Sequence, residues 1–327
     1  MKTRFRTVAV GLAALLGLTL AACTSNDSTS ASSAAEGSFP VRIEHRLGST
    51  LIEKQPERVV TVGWNDQDFA LALGVVPVGI RKWFDEYPTY PWVKEATGGK
   101  ALPTIGEEID YEAIAKAEPD VILAVYEEFD QETYDKLSNI APTVLQPKEY
   151  DTKSPPWDVQ LEITGKALGK LPQAQALTAK VQNKLDETKA AHPEFAGKTL
   201  VVDYGPSDEE HWLIPAGDPR RAIFDALGFS AQQESEEVSP ERLDLLNRDV
   251  LFVFGARKGE LKSPAFTSLP VVTEDRTLYL SFDSMLAGAL SFSGPNALLY
   301  AVDRIVPQLG NATDGNPATV VESLDAA

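Results

Sequence analysis

The sequence predicts an α/β protein of two lobes, each with a mainly parallel sheet, joined by a single long helix. Three observations carry this. Apolar β-branched runs alternate with helical patterns in both halves of the chain, as in parallel sheets covered by helices on both faces. One central stretch, residues 157–197, has no strand pattern. A short unit also occurs twice: IDYEAIAKAEPDVILA (109–124) and VSPERLDLLNRDVLFV (238–253) share Glu112/Glu241, Asp120/Asp249 and Val121/Val250 at an offset of 129 residues. That offset is about the length of one domain.

In chain order, PERVVTVG (56–63) reads as a strand ending in Gly63. NDQDFALALG follows as a helix capped by Asn65 and stopped at Gly74, and PVGI (77–80) as the next strand. The first copy of the repeated unit adds a helix and VILAV (121–125), and a helix near QETYDKLSNI leads to PTVLQ (142–146). Trp157 to Gly197 divides at Pro172 into two helices. In the second, Ala174, Leu177, Val181, Leu185 and Thr188 recur at helical spacing, and about 20 residues of helix span about 30 Å, enough to bridge two lobes. Alternation then resumes with TLVVDY (199–204), PRRAIFDALGF (219–229), the second copy of the unit and TLYLS (277–281). The last helix opens at Gly294-Pro295, where Pro suits the first helical position, and sets Leu298, Leu299, Val302, Ile305, Val306 and Leu309 on one buried stripe.

At 327 residues with 43% hydrophobic composition, the chain can bury two cores and is neither disordered nor fibrous. Residues 1–22 carry Lys2, Arg4 and Arg6 ahead of an apolar run from Val8 to Ala22, too short for a bilayer span and typical of a secretion signal. Cys23, the only cysteine, follows Leu20-Ala21-Ala22 directly; LAAC resembles a bacterial lipobox, in which the thiol takes a lipid. Two acyl chains suffice for stable anchoring to a membrane. The small polar residues of 24–39 read as a flexible tether with a reach of about 20 to 25 Å. The expected organisation is a signal (1–22), lipidated Cys23 and tether (23–39), an N-terminal lobe (40–170), a linking helix (171–195), a C-terminal lobe (196–310) and a disordered tail (311–327). Without the signal, 27 Lys and Arg face 48 Asp and Glu, a balance of −21 that disfavours nucleic-acid binding.

The three histidines, His45, His192 and His211, have no spacing that would set two on one helical face, and HExxH, GxSxG, P-loop and GxGxxG motifs are absent. With no nucleophile and base in view, the expectation is a binding protein without catalytic residues, bound metal or cofactor. What stands out is aromatic and cationic residues just after predicted strands, where open parallel sheets place their ligand crevices. Trp64 follows the first strand; Arg81, Lys82, Trp83 and Phe84 follow PVGI; Tyr126 follows VILAV; Tyr204 and Arg257 follow strands of the second half, and Arg220 opens its first helix. Of these, Trp64, Arg81, Trp83, Tyr126, Tyr204, Arg220 and Arg257 are the candidate ligand contacts.

With PERVVTVG, ALGVVPVGI, YEAIAKAEPDVILA, LSNIAPTV, SPERLDLLNRDVLFV and GALSFSGPNALLYAVDRIVPQLG in place, the chain resembles the bacterial binding proteins that deliver iron-siderophore complexes to ABC importers, the type III periplasmic binding proteins. The resemblance spans residues 41–310. It implies two α/β lobes on one long helix and a small closing tilt. It also implies that Glu112 and Glu241, each at a helix start, dock into arginine pockets of a permease; capping by Asp110 and Ser239 is the structural alternative for the same positions. The implied ligand is Fe(III) already wrapped by hard oxygen donors of a siderophore, so that aromatic walls and Arg or Lys serve in place of metal ligands. TIGEEIDYE puts Glu107 and Glu108 where hydroxamate-binding members often have arginine. The charge balance nonetheless favours a ferric hydroxamate over a highly anionic tricatecholate. The implied protein is a lipid-anchored monomer on the outer face of the cytoplasmic membrane. Rival readings are a haem or cobalamin carrier of the same fold, with Tyr126 or His211 as an axial ligand; a zinc or manganese carrier; and, from another class, a surface hydrolase or adhesive lipoprotein.

Overall fold

The computed structural model describes residues 39–150, 154–233 and 237–326; the secretion signal, Cys23 and nearly all of the tether lie outside them. The described chain opens on an antiparallel hairpin that the strand pattern does not announce, β1 (Val41–His45) with β2 (Gly48–Ile52). Buried His45 is structural: its Nε2 meets Thr50 Oγ1 at 3.0 Å and its ring lies edge-on to Tyr134.

The first sheet follows from β3 (Val59–Thr61), α1 (Asp66–Ala72), β4 (Gly79–Ile80), α2 (Pro91–Thr97), α3 (Tyr111–Lys116), β5 (Val121–Ala124), α4 (Gln131–Ser138) and β6 (Thr143–Leu145). Its strand order is β4-β3-β5-β6, parallel throughout. Every strand residue is buried, so the apolar runs are continuous, with helices supplying cover. Helix α5 (Trp157–Ala167) and the 21-residue α6 (Leu171–Ala191) come next. Pro172 sits in the first turn of α6, where its missing N–H costs nothing. The two helices approach closely because Gly165 has no Cβ; one would lie 2.6 Å from that of Ala174.

The second half comprises β7 (Leu200–Tyr204), β8 (His211–Trp212), α7 (Ala222–Leu227), β9 (Glu237–Val238), β10 (Val250–Phe254), α8 (Pro264–Thr267), α9 (Pro270–Thr273), β11 (Thr277–Leu280), α10 (Met285–Phe292) and α11 (Pro295–Thr313). Its parallel sheet has the order β11-β10-β7, with β8 and β9 as a separate antiparallel pair. Helix α6 packs against α5, from the first half, and against α7 and α11, from the second. Helix α11 also touches α1 and β11, burying Leu298, Val302, Ile305, Val306 and Leu309; Leu299 is half-buried.

The repeated unit has a structural meaning in its aspartates. Asp120 accepts from the N–H groups of Glu57 (2.8 Å) and Arg58 (2.9 Å) just ahead of β3, and Asp249 from that of Thr199 (2.7 Å) just ahead of β7. Each pins the start of the strand that pairs in parallel with its own. The helical parts differ. Asp110 caps α3, accepting from the N–H groups of Glu112 and Ala113 at 3.0 Å, whereas the second copy is a 3₁₀ segment, Pro240–Leu246, kinked at Arg242.

Three expectations require correction. Ser239 makes no capping bond; its side chain hydrogen-bonds the carboxylate of Glu241, which lies below the usual carboxylate range for that reason. Asn65 stands at the N-cap position of α1 as expected, but its side chain makes no capping bond; its amide instead donates 227 residues away, to the Phe292 carbonyl at 2.7 Å. The tail is ordered where it is described: α11 runs past Gly310 to Thr313, and the chain then packs back beside β11. Val321 and Leu324 are buried, Asp275 accepts from the Val321 N–H (2.9 Å), and Asp325 accepts from the N–H and hydroxyl of Ser281 (2.7 and 2.8 Å).

Candidate functional site

Parallel pairing brings the carboxyl ends of neighbouring strands level: Thr61 lies opposite Leu123, Ala124 opposite Leu145, and Phe254 opposite Tyr204. The residues that follow open onto a cavity of about 500 Å³, within the range of small-molecule sites. Trp64 comes from after β3, Trp83 from after β4, Tyr126 and Glu127 from after β5, and Gln146 from after β6. Tyr204 and Arg220 come from the second half, and Ser291 and Ser293 from the junction of α10 and α11.

Buried backbone bonds hold these loops. The Asp66 carboxylate accepts from the N–H groups of Gly63 (3.0 Å) and Val125 (3.1 Å), tying the β3 loop to the β5 loop. Burial pushes its pKa up to about 7, against the pull of those backbone bonds. A Cβ at position 63 would lie 2.5 Å from an Asp66 oxygen, so any larger residue would push that carboxylate off its backbone partners. Nearby, burial raises Asp68 to about 6, opposed by the donors Tyr87 and Trp92.

The aromatic wall is continuous. Trp64 packs against Trp83 (4.7 Å between ring centroids) and stacks on Phe292 (5.7 Å), while its indole N–H donates to the Ser291 carbonyl at 3.0 Å. Tyr126 accepts from Ser154 Oγ at 2.9 Å, and burial raises its pKa. Arg220 stands over the Tyr204 ring at 4.5 Å and is clamped by Asp218 through two bonds of 2.8 and 2.7 Å. Burial works against its charge, but the bonds and charge of Asp218 outweigh it, so Arg220 is held above its ordinary pKa.

Thus Trp64, Trp83, Tyr126, Tyr204 and Arg220 meet at one cavity. Arg81 does not line it. Its guanidinium lies 4.0 Å from the centre of the Trp83 ring and bonds Glu127 (3.1 Å) and the Glu107 carbonyl (2.8 Å), supporting the wall from behind. Arg257 also lies off the cavity lining, paired with Asp283 and Glu260. His211, a rival axial ligand, is fully buried against Asp203 at 2.6 Å and does not reach the cavity. Among the described residues no group of three His, Cys, Asp or Glu is placed to hold a metal ion, and no helix is long and apolar enough to cross a membrane.

Sequence reasoning passed over Asn65, Glu127, Glu128, Gln146, Ser154, Pro219, Ser291 and Ser293. Gln146 and the two glutamates satisfy the same rule as the aromatics, standing directly after strands. Ser291 and Ser293 had no such signal, because the α10–α11 junction reaches the cavity only through long-range packing.

The comparisons agree with this geometry. Residues 59–277 match the family model described as Periplasmic binding protein. The iron(3+)-hydroxamate-binding protein YxeB of Bacillus subtilis is 28% identical over 306 residues, covering 84% of this chain and 89% of that one. A crystal structure of a periplasmic solute binding protein from Mycobacterium smegmatis matches with a TM-score of 0.77 at 30% identity, over 84% of this chain and 98% of that one. The structure of PiaA from Streptococcus pneumoniae in complex with ferrichrome matches at 0.72 and 27% identity, over 83% and 98%. With two parallel sheets, a crevice at their carboxyl ends and more than half of its length matched, the chain has the type III fold and belongs to the periplasmic binding protein family.

Proposed function

We propose that this protein captures a ferric siderophore of the hydroxamate class and delivers it unchanged to the permease of an ABC importer. The observation that carries the reading is the cavity of about 500 Å³ walled by Trp64, Trp83, Tyr126 and Tyr204, with the clamped cation Arg220 on its rim. An iron complex supplies its own oxygen ligands, so such a site needs aromatic faces for the organic shell and a cation for oxygens that keep partial negative charge. The names of YxeB, an iron(3+)-hydroxamate-binding protein, and of PiaA in complex with ferrichrome support the same ligand class. So does the charge balance. An excess of acids hinders approach of a tricatecholate carrying several negative charges, although screening within about 8 Å at physiological salt keeps that preference modest.

The five tryptophans provide the assay. Titration with a ferric trihydroxamate should quench their fluorescence to a stoichiometry of about one, with the ligand recovered intact, as expected of a carrier rather than an enzyme. A ferric tricatecholate binding about tenfold more tightly would reject the hydroxamate assignment; turnover of the ligand would reject the carrier.

The same reading places the protein as a monomer on the outer face of the cytoplasmic membrane, held by a lipid on Cys23. Cys23→Ser is expected to leave it exported but released into the soluble fraction. Retention of the variant in the membrane fraction at the level of the unaltered protein would remove the anchor.

A further inference from the structure

Beside the main cavity lies a second, of about 250 Å³, and Trp64, Tyr204 and Ser291 belong to the linings of both. The two spaces therefore share a wall built from both halves of the molecule. The remaining surface of the second cavity combines two features.

The first is aromatic surface left open to water. Phe84 is 40% and Phe282 46% exposed, although both rings belong to the aromatic wall: Phe84 meets Trp64 edge-on at 5.7 Å, and Phe282 meets Tyr204 at 5.1 Å. Two exposed rings lining one concave site offer apolar surface that a ligand could cover.

The second is charge. Glu86 and Asp283 line the cavity, and none of its lining residues is Lys, Arg or His. Asp283 is already balanced, taking bonds from Arg257 and from the Ser281 hydroxyl. Glu86 has no ion-pair partner among the described residues, and it faces the neighbouring Tyr90, whose pKa burial and then the Glu86 charge push up to about 12. One uncompensated carboxylate thus stands at the edge of an aromatic cavity that shares Trp64, Tyr204 and Ser291 with the main site.

We propose that this cavity is a subsite for an apolar arm that ends in an ammonium group and belongs to the ferric hydroxamate held in the main cavity. Phe84 and Phe282 cover the methylene chain, and Glu86 receives the ammonium, which also gains from the surrounding aromatic faces. The inference rests on the proposed function and narrows it, from ferric hydroxamates in general to linear ones with a cationic tail.

The test uses three probes with the full chain in calorimetric titrations: a linear ferric trihydroxamate with a terminal primary amine, the same complex N-acetylated, and a neutral cyclic ferric trihydroxamate. The amine form is expected to bind about threefold to fivefold more tightly than the acetylated form, the range of an exposed ion pair, with the difference shrinking at high salt. In Glu86→Gln the difference should vanish while the affinities for the acetylated and cyclic complexes stay unchanged. Equal binding of the two linear forms, or a difference that survives Glu86→Gln, overturns the subsite and leaves the carrier reading standing if the cyclic complex binds. Binding of none of the three overturns both.

Discussion

Trp64→Ala is expected to weaken binding of a ferric trihydroxamate about tenfold to a hundredfold, measured by calorimetry because the substitution removes part of the fluorescence signal. Trp64 does three things at once. It presents a face to the cavity, stacks on Phe292, and bonds the Ser291 carbonyl, so it joins the first half of the chain to the α10–α11 junction. Trp64→Phe separates these roles. It keeps an aromatic face and loses the indole donor, so it should cost only a few-fold if the wall matters most. Arg220→Lys is expected to approach the alanine variant of Trp64 in effect, since an ammonium cannot reproduce the two-bond clamp on Asp218 or the stacking over Tyr204. Unchanged affinity in both Trp64→Ala and Arg220→Lys would move the ligand out of this cavity.

The second large effect is expected in transport rather than binding. Glu112→Ala combined with Glu241→Ala should lower uptake of the ferric siderophore about tenfold or more, while affinity for the ligand stays within about twofold; charge pairs at interfaces commonly contribute this much or more. Both side chains are exposed and neither lines the cavity. The alternative, that they serve only their own helices, has unequal support at the two positions. Glu112 stands in the first turn of a properly capped helix, where a carboxylate is favourable, but Glu241 is the second residue of a kinked 3₁₀ segment whose preceding serine bonds the glutamate itself. A local role therefore explains one copy better than the other, whereas docking to a permease asks the same of both. Wild-type uptake in the double variant would leave only the local role. A fall in ligand affinity would point to disturbance of the lobes.

The alternation of strands and helices, the helix at 171–191, the helix opening at Pro295 and the concentration of aromatic residues after strands were all legible in the sequence. They are local consequences of burial: a strand covered on both faces must be apolar throughout, and a surface helix must repeat its apolar residues every three or four positions, so the signal lies within ten or twenty neighbours. The first parallel sheet then fixes that residues after its strands share one crevice, which is why Trp64, Trp83 and Tyr126 meet; Tyr204, at the end of β7 in the second sheet, joins them through packing of the two halves.

Which side chain each of these meets depended on the tertiary structure alone. Arg81, directly after a strand, and Arg220, at the opening of a helix, have the same chemistry. Glu127 and the face of Trp83 draw Arg81 behind the wall, whereas Asp218 holds Arg220 over Tyr204 at the cavity rim. Arg257 follows a strand as Arg81 does, yet it pairs with Asp283 and stays off the cavity lining. Asn65 holds the N-cap position that the sequence suggests, yet its side-chain bond runs to the Phe292 carbonyl, which lies 227 residues away in the chain. The tail beyond Gly310 is polar enough to read as disordered, but two apolar residues, Val321 and Leu324, find a groove beside β11. Periodicity reports how often a residue faces the core. A hydrogen bond or ion pair requires two groups within about 3 Å, and for groups hundreds of residues apart only the folded chain brings them there.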